Sequence, residues 1–130
     1  MTNYAQALVL TNPSTAEDVI SRLDGAAILI ESCGWTRHPG DDERFTLLES
    51  IVCGYDWDAT SILAARAVRF QIENDYSEPF EHIIRLTYST HNATAGPDLA
   101  DWNSRQRDRR KVLRLINRTI LNIEKALEEA

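Results

Sequence analysis

The stretch Asp101 to Leu127, DWNSRQRDRRKVLRLINRTILNIEKAL, decides how the rest of the chain can pack. Its second half carries apolar residues three or four positions apart, which places them on one face of an α-helix. These residues are Leu113, Ile116, Ile120, Ile123 and Leu127. Its first half carries seven basic residues between Arg105 and Arg118. We predict a long C-terminal helix, the longest in the chain, on whose apolar face the upstream helices pack.

Composition and charge exclude several classes of protein. A chain of 130 residues with 43% apolar and 26% charged residues is typical of one globular domain with its own core. The net charge is −6, but the segment from Arg105 to Arg118 carries +6, so the rest of the chain carries −12. This acidic field disfavours general binding to nucleic acid or to anionic membranes. We favour arginines that pair with acids of the same chain or are solvated over their use in binding.

The same composition indicates the compartment. No apolar run is long enough to cross a membrane, and the first residues lack the basic segment of a signal peptide. The two cysteines, Cys33 and Cys53, are not spaced as zinc ligands, and His38 with Asp41 and Asp42 offers too few ligands for a metal. We therefore expect a cytoplasmic protein with reduced thiols, no metal and no cofactor.

Among the helices predicted before the C-terminal helix, the first has the clearest start and stop signals in the sequence. Ser14 and Glu17 have the spacing of a capping box at its start, and Gly34 is a natural C-terminal cap. Gly25, inside the helix, is expected to let another helix approach closely. Residues 1–13 form an N-terminal arm, so residues 14–130 form the domain.

Three further helices are predicted between this one and the C-terminal helix. A short helix covers Phe45 to Val52, and the next, from about Ala59 to Asn74, is expected to be the most buried, with Asp58 or Thr60 as its cap. Another begins at Ser77-Glu78-Pro79 and stops around His91-Asn92, before a loop with the sequence ATAGPD. No run alternates in the manner of a strand. The chain is therefore predicted to be all-α, a compact bundle of about five helices.

Polar and aromatic residues gather just before the C-terminal helix. Trp102 is expected to pack between helices, Asn103 to cap backbone groups, and Asp108 to cap the last helix. Arg107 then lies where it can bind carboxylates of another helix. The alternative is a small-ligand or enzymatic pocket bordered by Trp35, Trp102, Asn103 and Arg107.

These residues also carry a resemblance. The pair Trp102-Asn103, followed by Arg107 and Asp108, and the pair Gly34-Trp35 after the first helix resemble a small family of domains of unknown function from actinobacteria and their phages. The resemblance covers most of residues 14–127 and implies a helical, phage-related protein, but no known activity.

The chain also departs from the family pattern. Ser104 stands where an Asp usually follows the Trp-Asn pair, and the segment around Cys53 matches poorly.

Three functions remain open from the sequence, and no catalytic residue is assigned. The first is a regulatory or interaction protein that binds another protein through an acidic surface including Asp41, Asp42 and Glu43. The second is the pocket described above, and the third is nucleic-acid binding through Arg105–Arg118. A homodimer through the apolar stripe of the C-terminal helix is also considered.

A nucleophile pair of Cys53 and His91 is not favoured. It lacks an orienting third residue, so Cys53 is expected to be a small buried residue.

Overall fold

The computed structural model describes residues 8–9, 13–54, 56–76 and 91–130, and these residues contain five α-helices. They are α1 (Pro13–Cys33), α2 (Leu47–Val52), α3 (Ala59–Tyr76), α4 (His91–Ser104) and α5 (Arg109–Glu129). The described residues form no strand, and their one isolated bridge joins Trp35 to Phe45. The predicted all-α bundle with a long C-terminal helix is therefore confirmed. The helix predicted to begin at Ser77 lies outside the described residues up to position 90, and its predicted end at His91-Asn92 was wrong because α4 begins at His91.

The first helix, α1, matches its prediction at the C-terminal end and differs at the other. It begins at Pro13, a favoured first position, so Ser14 lies in the first turn and is not the cap. It ends at Cys33, and the capping Gly34 that follows has φ +102° and donates its N–H to the Ile30 carbonyl at 3.0 Å. At 21 residues α1 is as long as α5, so the C-terminal helix shares the greatest length among the described helices with α1.

Gly25 does not serve a close helix contact. A Cβ atom built at this position has nothing within 4 Å, so the expectation that another helix approaches there was wrong.

The segment ATAGPD is helical, contrary to the predicted loop. It lies within α4, with Pro97 inside the helix. Pro97 has no N–H to donate, which costs about 3 kcal/mol in a helix interior. Burial of the residues that follow, Leu99 and Trp102 among them, offsets this cost. The prediction failed because it weighed only the local Gly-Pro pair, which is typical of turns.

The C-terminal helix α5 begins as predicted and buries a slightly different face. Asp108 is the N-cap and accepts a hydrogen bond from the Arg110 backbone N–H at 2.9 Å. Of the predicted stripe, Ile116 and Ile123 are buried, whereas Leu113, Ile120 and Leu127 lie at the margin of the core. The buried residues are Val112, Leu115, Ile116, Thr119, Ile123 and Ala126.

The central helix is α3, which packs against each of the four other described helices. Small residues on its buried face, including Ala64 and Ala65, allow these close contacts. An ion pair joins α3 to α4 in the interior: Arg69 Nε lies 2.9 Å from Asp98 Oδ2, and both side chains are buried. Burial raises the pKa of the Asp98 carboxyl above its ordinary value, although the positive charge of Arg69 partly opposes this.

Two residues of the N-terminal arm also belong to the core, since Leu8 and Val9 are buried. Within the described ranges, no helix is both long and apolar enough to cross a membrane.

Candidate functional site

Asn103, in the last turn of α4, is buried and uses both atoms of its amide within the protein. Its Oδ1 accepts hydrogen bonds from the Trp35 indole Nε1 at 2.7 Å and from the Leu47 backbone N–H at 3.1 Å. Its Nδ2 donates to the backbone carbonyl oxygens of Thr36 at 3.1 Å and Arg37 at 3.4 Å. An amide side chain has two donors and two acceptor lone pairs, so the bonding capacity of Asn103 is filled.

The loop that meets Asn103, residues 34–46, is shaped by its own backbone. The Thr36 N–H donates to the Phe45 carbonyl at 3.0 Å, and the Phe45 N–H donates to the Gly34 carbonyl at 3.0 Å. These bonds set Trp35 beside Phe45 and aim the Trp35 indole at α4. Asn103 thereby ties α4 to this loop and to the first turn of α2. We call this arrangement the Asn103 junction.

Two residues that the sequence reading missed complete the Asn103 junction. Gln106 Nε2 donates to the Trp102 carbonyl at 2.8 Å, and Arg37 Nε donates to the Gln106 carbonyl at 2.7 Å. Carbonyl groups near the end of α4 are thus satisfied by side chains. Arg37 and Gln106 are 69 positions apart, and no spacing rule in a single sequence connects them.

The four predicted pocket residues do not all come together. Trp35, Trp102 and Asn103 meet at the junction, where Trp102 is only 3% exposed. Arg107 is exposed, and it forms no hydrogen bond or ion pair with another described residue. The expected bond between Arg107 and the carboxylates of another helix is therefore absent from the described part of the chain.

The pairs Gly34-Trp35 and Trp102-Asn103, which carry the family resemblance, thus lie at one junction. No family model matches the chain, and neither does a curated protein or a solved structure. The resemblance stays a prediction.

The predicted acidic surface lies on the loop before α2, and its three acids differ in their surroundings. Asp41 Oδ1 accepts from the backbone N–H groups of Glu43 and Arg44, each at 2.9 Å, and Oδ2 pairs with the Arg44 guanidinium at 3.0 Å. These bonds, led by that from Glu43, hold the pKa of the Asp41 carboxyl below its ordinary value. Asp42 and Glu43 are exposed. Asp41 therefore shapes the loop, and the other two supply free negative charge.

A second exposed feature, not singled out from the sequence, follows α2. Trp57 is 40% exposed, and both Asp56, at φ 49°, and Trp57, at φ 53°, have left-handed backbones. This conformation is unusual for a bulky residue and costs on the order of 1–3 kcal/mol. The Trp57 ring lies against the backbone of Gly96 in α4, where an added Cβ would come within 2.9 Å of its Cζ2.

The residue after Trp57 anchors this loop to the domain. Asp58 binds the Arg22 guanidinium through both carboxylate oxygens, at 2.9 and 3.1 Å, and accepts from the Ser61 backbone N–H at 2.8 Å. It therefore caps α3, one of the two positions predicted. The hydrogen bonds from Arg22 and then Ser61 hold the pKa of the Asp58 carboxyl well below its ordinary value.

The basic segment is largely turned toward solvent. Arg105 pairs with Asp101, and Arg118 Nη2 lies 2.9 Å from Asp75 Oδ1. The other arginines of the segment are exposed: Arg107, Arg109, Arg110 and Arg114. The described residues agree with the favoured interpretation, since two arginines pair within the chain and the other four are exposed to solvent.

Neither cysteine is buried. Cys33 and Cys53 are both free and exposed, so the expectation that Cys53 is a buried apolar residue was wrong. The cause is its position in the turn between α2 and Gly54. The described residues contain no group of three or more His, Cys, Asp or Glu side chains that could hold a metal ion.

Proposed function

We propose that the protein is a small helical interaction protein that binds another protein through the surface at the two ends of α2. One end carries the acidic loop, defined as Asp41, Asp42 and Glu43, and the other carries Trp57. A helix of six residues is about 9 Å long, so one partner can reach both ends. The partner is expected to carry basic groups, and the cytoplasm is the expected compartment.

The exposed Trp57 is the observation that carries this proposal. Tryptophan is among the residues that contribute most to protein interfaces, because one side chain offers a large, rigid contact surface. Here the chain holds it on a left-handed backbone, with the ring against Gly96 of α4 and 40% of the residue exposed to solvent. The ion pair of Arg22 with Asp58 fixes the chain directly after it, so the ring is presented from a rigid support.

The pocket hypothesis has less support from the geometry. Every polar group of the Asn103 amide is engaged within the protein, so a ligand would have to displace an internal hydrogen bond. Arg107, the cationic member of the proposed pocket, stands apart in solvent.

The test is affinity capture from an actinobacterial extract, the source that the resemblance implies, with quantitative mass spectrometry. Three variants are compared with the unaltered protein: Trp57→Ala, Asp42→Lys with Glu43→Lys, and Ile28→Ala. The last is the matched control, because Ile28 is 54% exposed on α1. Asp41 is left unchanged because it shapes its loop.

We expect at least one protein whose recovery falls about tenfold or more in both loop variants and is unchanged in Ile28→Ala. Circular dichroism would establish that each variant is folded. If every captured protein is recovered equally by Trp57→Ala and by the unaltered chain, the proposed surface is wrong.

A further inference from the structure

One row of exposed side chains runs almost the length of α5. Six residues form this row, which we call the outer stripe: Arg110, Arg114, Asn117, Leu121, Glu124 and Glu128. Alternate steps of four and three residues keep them within about 80° of the helix circumference. The buried residues of α5 occupy the opposite face.

The order of charges along the outer stripe opposes the helix dipole. The basic residues lie toward the N-terminus and the acidic residues toward the C-terminus, and α5 has no acid in its first turn and no base in its last. A helix is stabilised by the reverse order, because its N-terminus is partially positive and its C-terminus partially negative. The stability of α5 itself therefore does not explain this arrangement.

The outer stripe is complementary to itself when two copies lie antiparallel. A two-fold axis at the level of Thr119 brings the basic half of each copy against the acidic half of the other. The opposed pairs, each formed twice, are Arg110 with Glu128, Arg114 with Glu124, and Asn117 with Leu121. A parallel arrangement would instead place arginines against arginines and glutamates against glutamates.

The centre of the outer stripe carries one large apolar residue, Leu121, beside Asn117. Leu121 is 61% exposed, more than the other exposed large hydrophobic residues, Ile28 and Trp57. In the antiparallel arrangement the two Leu121 side chains lie diagonally across the axis, each opposite an Asn117 and flanked by charge pairs. An apolar centre with a charged rim is the usual pattern of a protein interface.

We propose that the protein forms an antiparallel homodimer through the outer stripe of α5. This surface differs from the dimer stripe suggested by the sequence, because Ile116 and Ile123 of that stripe are buried within one copy. The row of contacts is about 27 Å long and one helix wide, so the dimer is weak and its affinity falls as salt is added. It is independent of the surface at Trp57, which lies on the loop between α2 and α3.

The experiment is a charge swap read by sedimentation equilibrium and native mass spectrometry, at low salt and over about 10 to 1,000 µM protein. One variant carries Arg110→Glu and Arg114→Glu, and the other carries Glu124→Arg and Glu128→Arg. All four positions are exposed. Both changes agree with the helix dipole, so neither variant is expected to lose its fold, and circular dichroism checks this.

The unaltered protein is expected to dimerise, and each variant alone to bind itself at least about tenfold more weakly. Mixing the two variants should restore a one-to-one dimer, because the acidic stripe of one then faces the basic stripe of the other. Leu121→Ala should weaken the original dimer, whereas Ile28→Ala should leave it unchanged.

A monomer throughout the concentration range, or a dimer that neither double variant weakens, would overturn the proposal. So would failure of the mixture to form a heterodimer. Arginine-dependent binding of a double-stranded DNA oligonucleotide by a protein that stays monomeric would assign the exposed arginines to nucleic acid instead.

Discussion

Asn103 contributes to the stability of the fold because its amide is the hydrogen-bond partner of the Trp35 indole and of backbone groups in the loop and in α2. Removing its amide leaves the Trp35 indole N–H, the Leu47 N–H and carbonyls of the loop without this partner. Each unsatisfied buried group costs about 1–3 kcal/mol. We expect Asn103→Ala to lower the free energy of unfolding by about 3–5 kcal/mol, measured by urea denaturation.

The neighbouring residue provides the control for this substitution. Ser104 lies in the same turn but is exposed, and its hydroxyl donates to the Asp101 carbonyl at 2.7 Å. Ser104→Ala should change the free energy of unfolding by less than about 0.5 kcal/mol. Equal losses in the two variants would show that the Asn103 junction contributes nothing specific to stability.

Asp58 predicts a pH dependence of stability. Its pKa is lower in the folded protein than the ordinary value of 3.8, so its contribution is present above that value and is lost as the pH falls below it. Asp58→Asn removes this contribution at neutral pH. The difference in unfolding free energy between the two proteins should therefore shrink between about pH 5 and pH 2.

Denaturant titrations across this range would measure the effect. Asp24→Asn is a suitable control, because Asp24 is an exposed acid of α1. A difference for Asp58→Asn that stays constant over the whole range would contradict the assigned role of the Arg22 and Ser61 hydrogen bonds.

At the scale of the element, replacing each of the two glycines in the described helices by alanine should change the free energy of unfolding differently. Gly25 in α1 has open space where a Cβ would be, whereas at Gly96 in α4 a Cβ would come within 2.9 Å of the Trp57 ring. Gly25→Ala should raise the free energy of unfolding by about 1 kcal/mol, because alanine restricts the unfolded chain and favours helix.

Gly96→Ala is the natural comparison, since the ring of Trp57 must shift to admit the new methyl group. Thermal and urea denaturation of both variants would show the contrast. If Gly96→Ala raised the free energy of unfolding as much as Gly25→Ala, the Trp57 ring would not rest on α4.

Helices whose signals are local could be predicted from the sequence. The apolar spacing and the terminal Gly34 mark α1, and Asp108 marks the start of α5. The box of Thr46 and Glu49 that begins α2 was equally visible and was overlooked. The helical state of ATAGPD could not be predicted, because it depends on burial against α3 and α2 that a local pattern does not contain.

Only part of the candidate site could be predicted from the sequence, for the same reason. The sequence pointed to Trp102 and Asn103 as residues that pack and cap, and the structure gives them those positions. Trp57 was passed over because it lies in a turn, where an aromatic residue leaves no periodic signal. Its exposure and its left-handed backbone are properties of the folded chain alone.

At the scale of the whole molecule, charge is separated over different surfaces. Acidic residues face solvent along α1 and on the loop before α2, while the exposed arginines are concentrated in the first half of α5. A chain with net charge −6 thus keeps one strongly basic region. This separation suits two contacts of different chemistry, one with a basic partner near Trp57 and one between copies along α5.

The Asn103 junction also has a consequence for the order of events during synthesis. The partners of Asn103 precede it by 56 to 68 residues, so the loop and α2 leave the ribosome several seconds before the side chain that closes them. Until then the loop is held only by its own hydrogen bonds, such as those of Phe45 with Gly34 and Thr36, and lacks the further bonds to Asn103 that help to offset its conformational entropy. We therefore expect proteases to cut this loop more readily in a nascent chain that stops short of α4 than in the full-length chain.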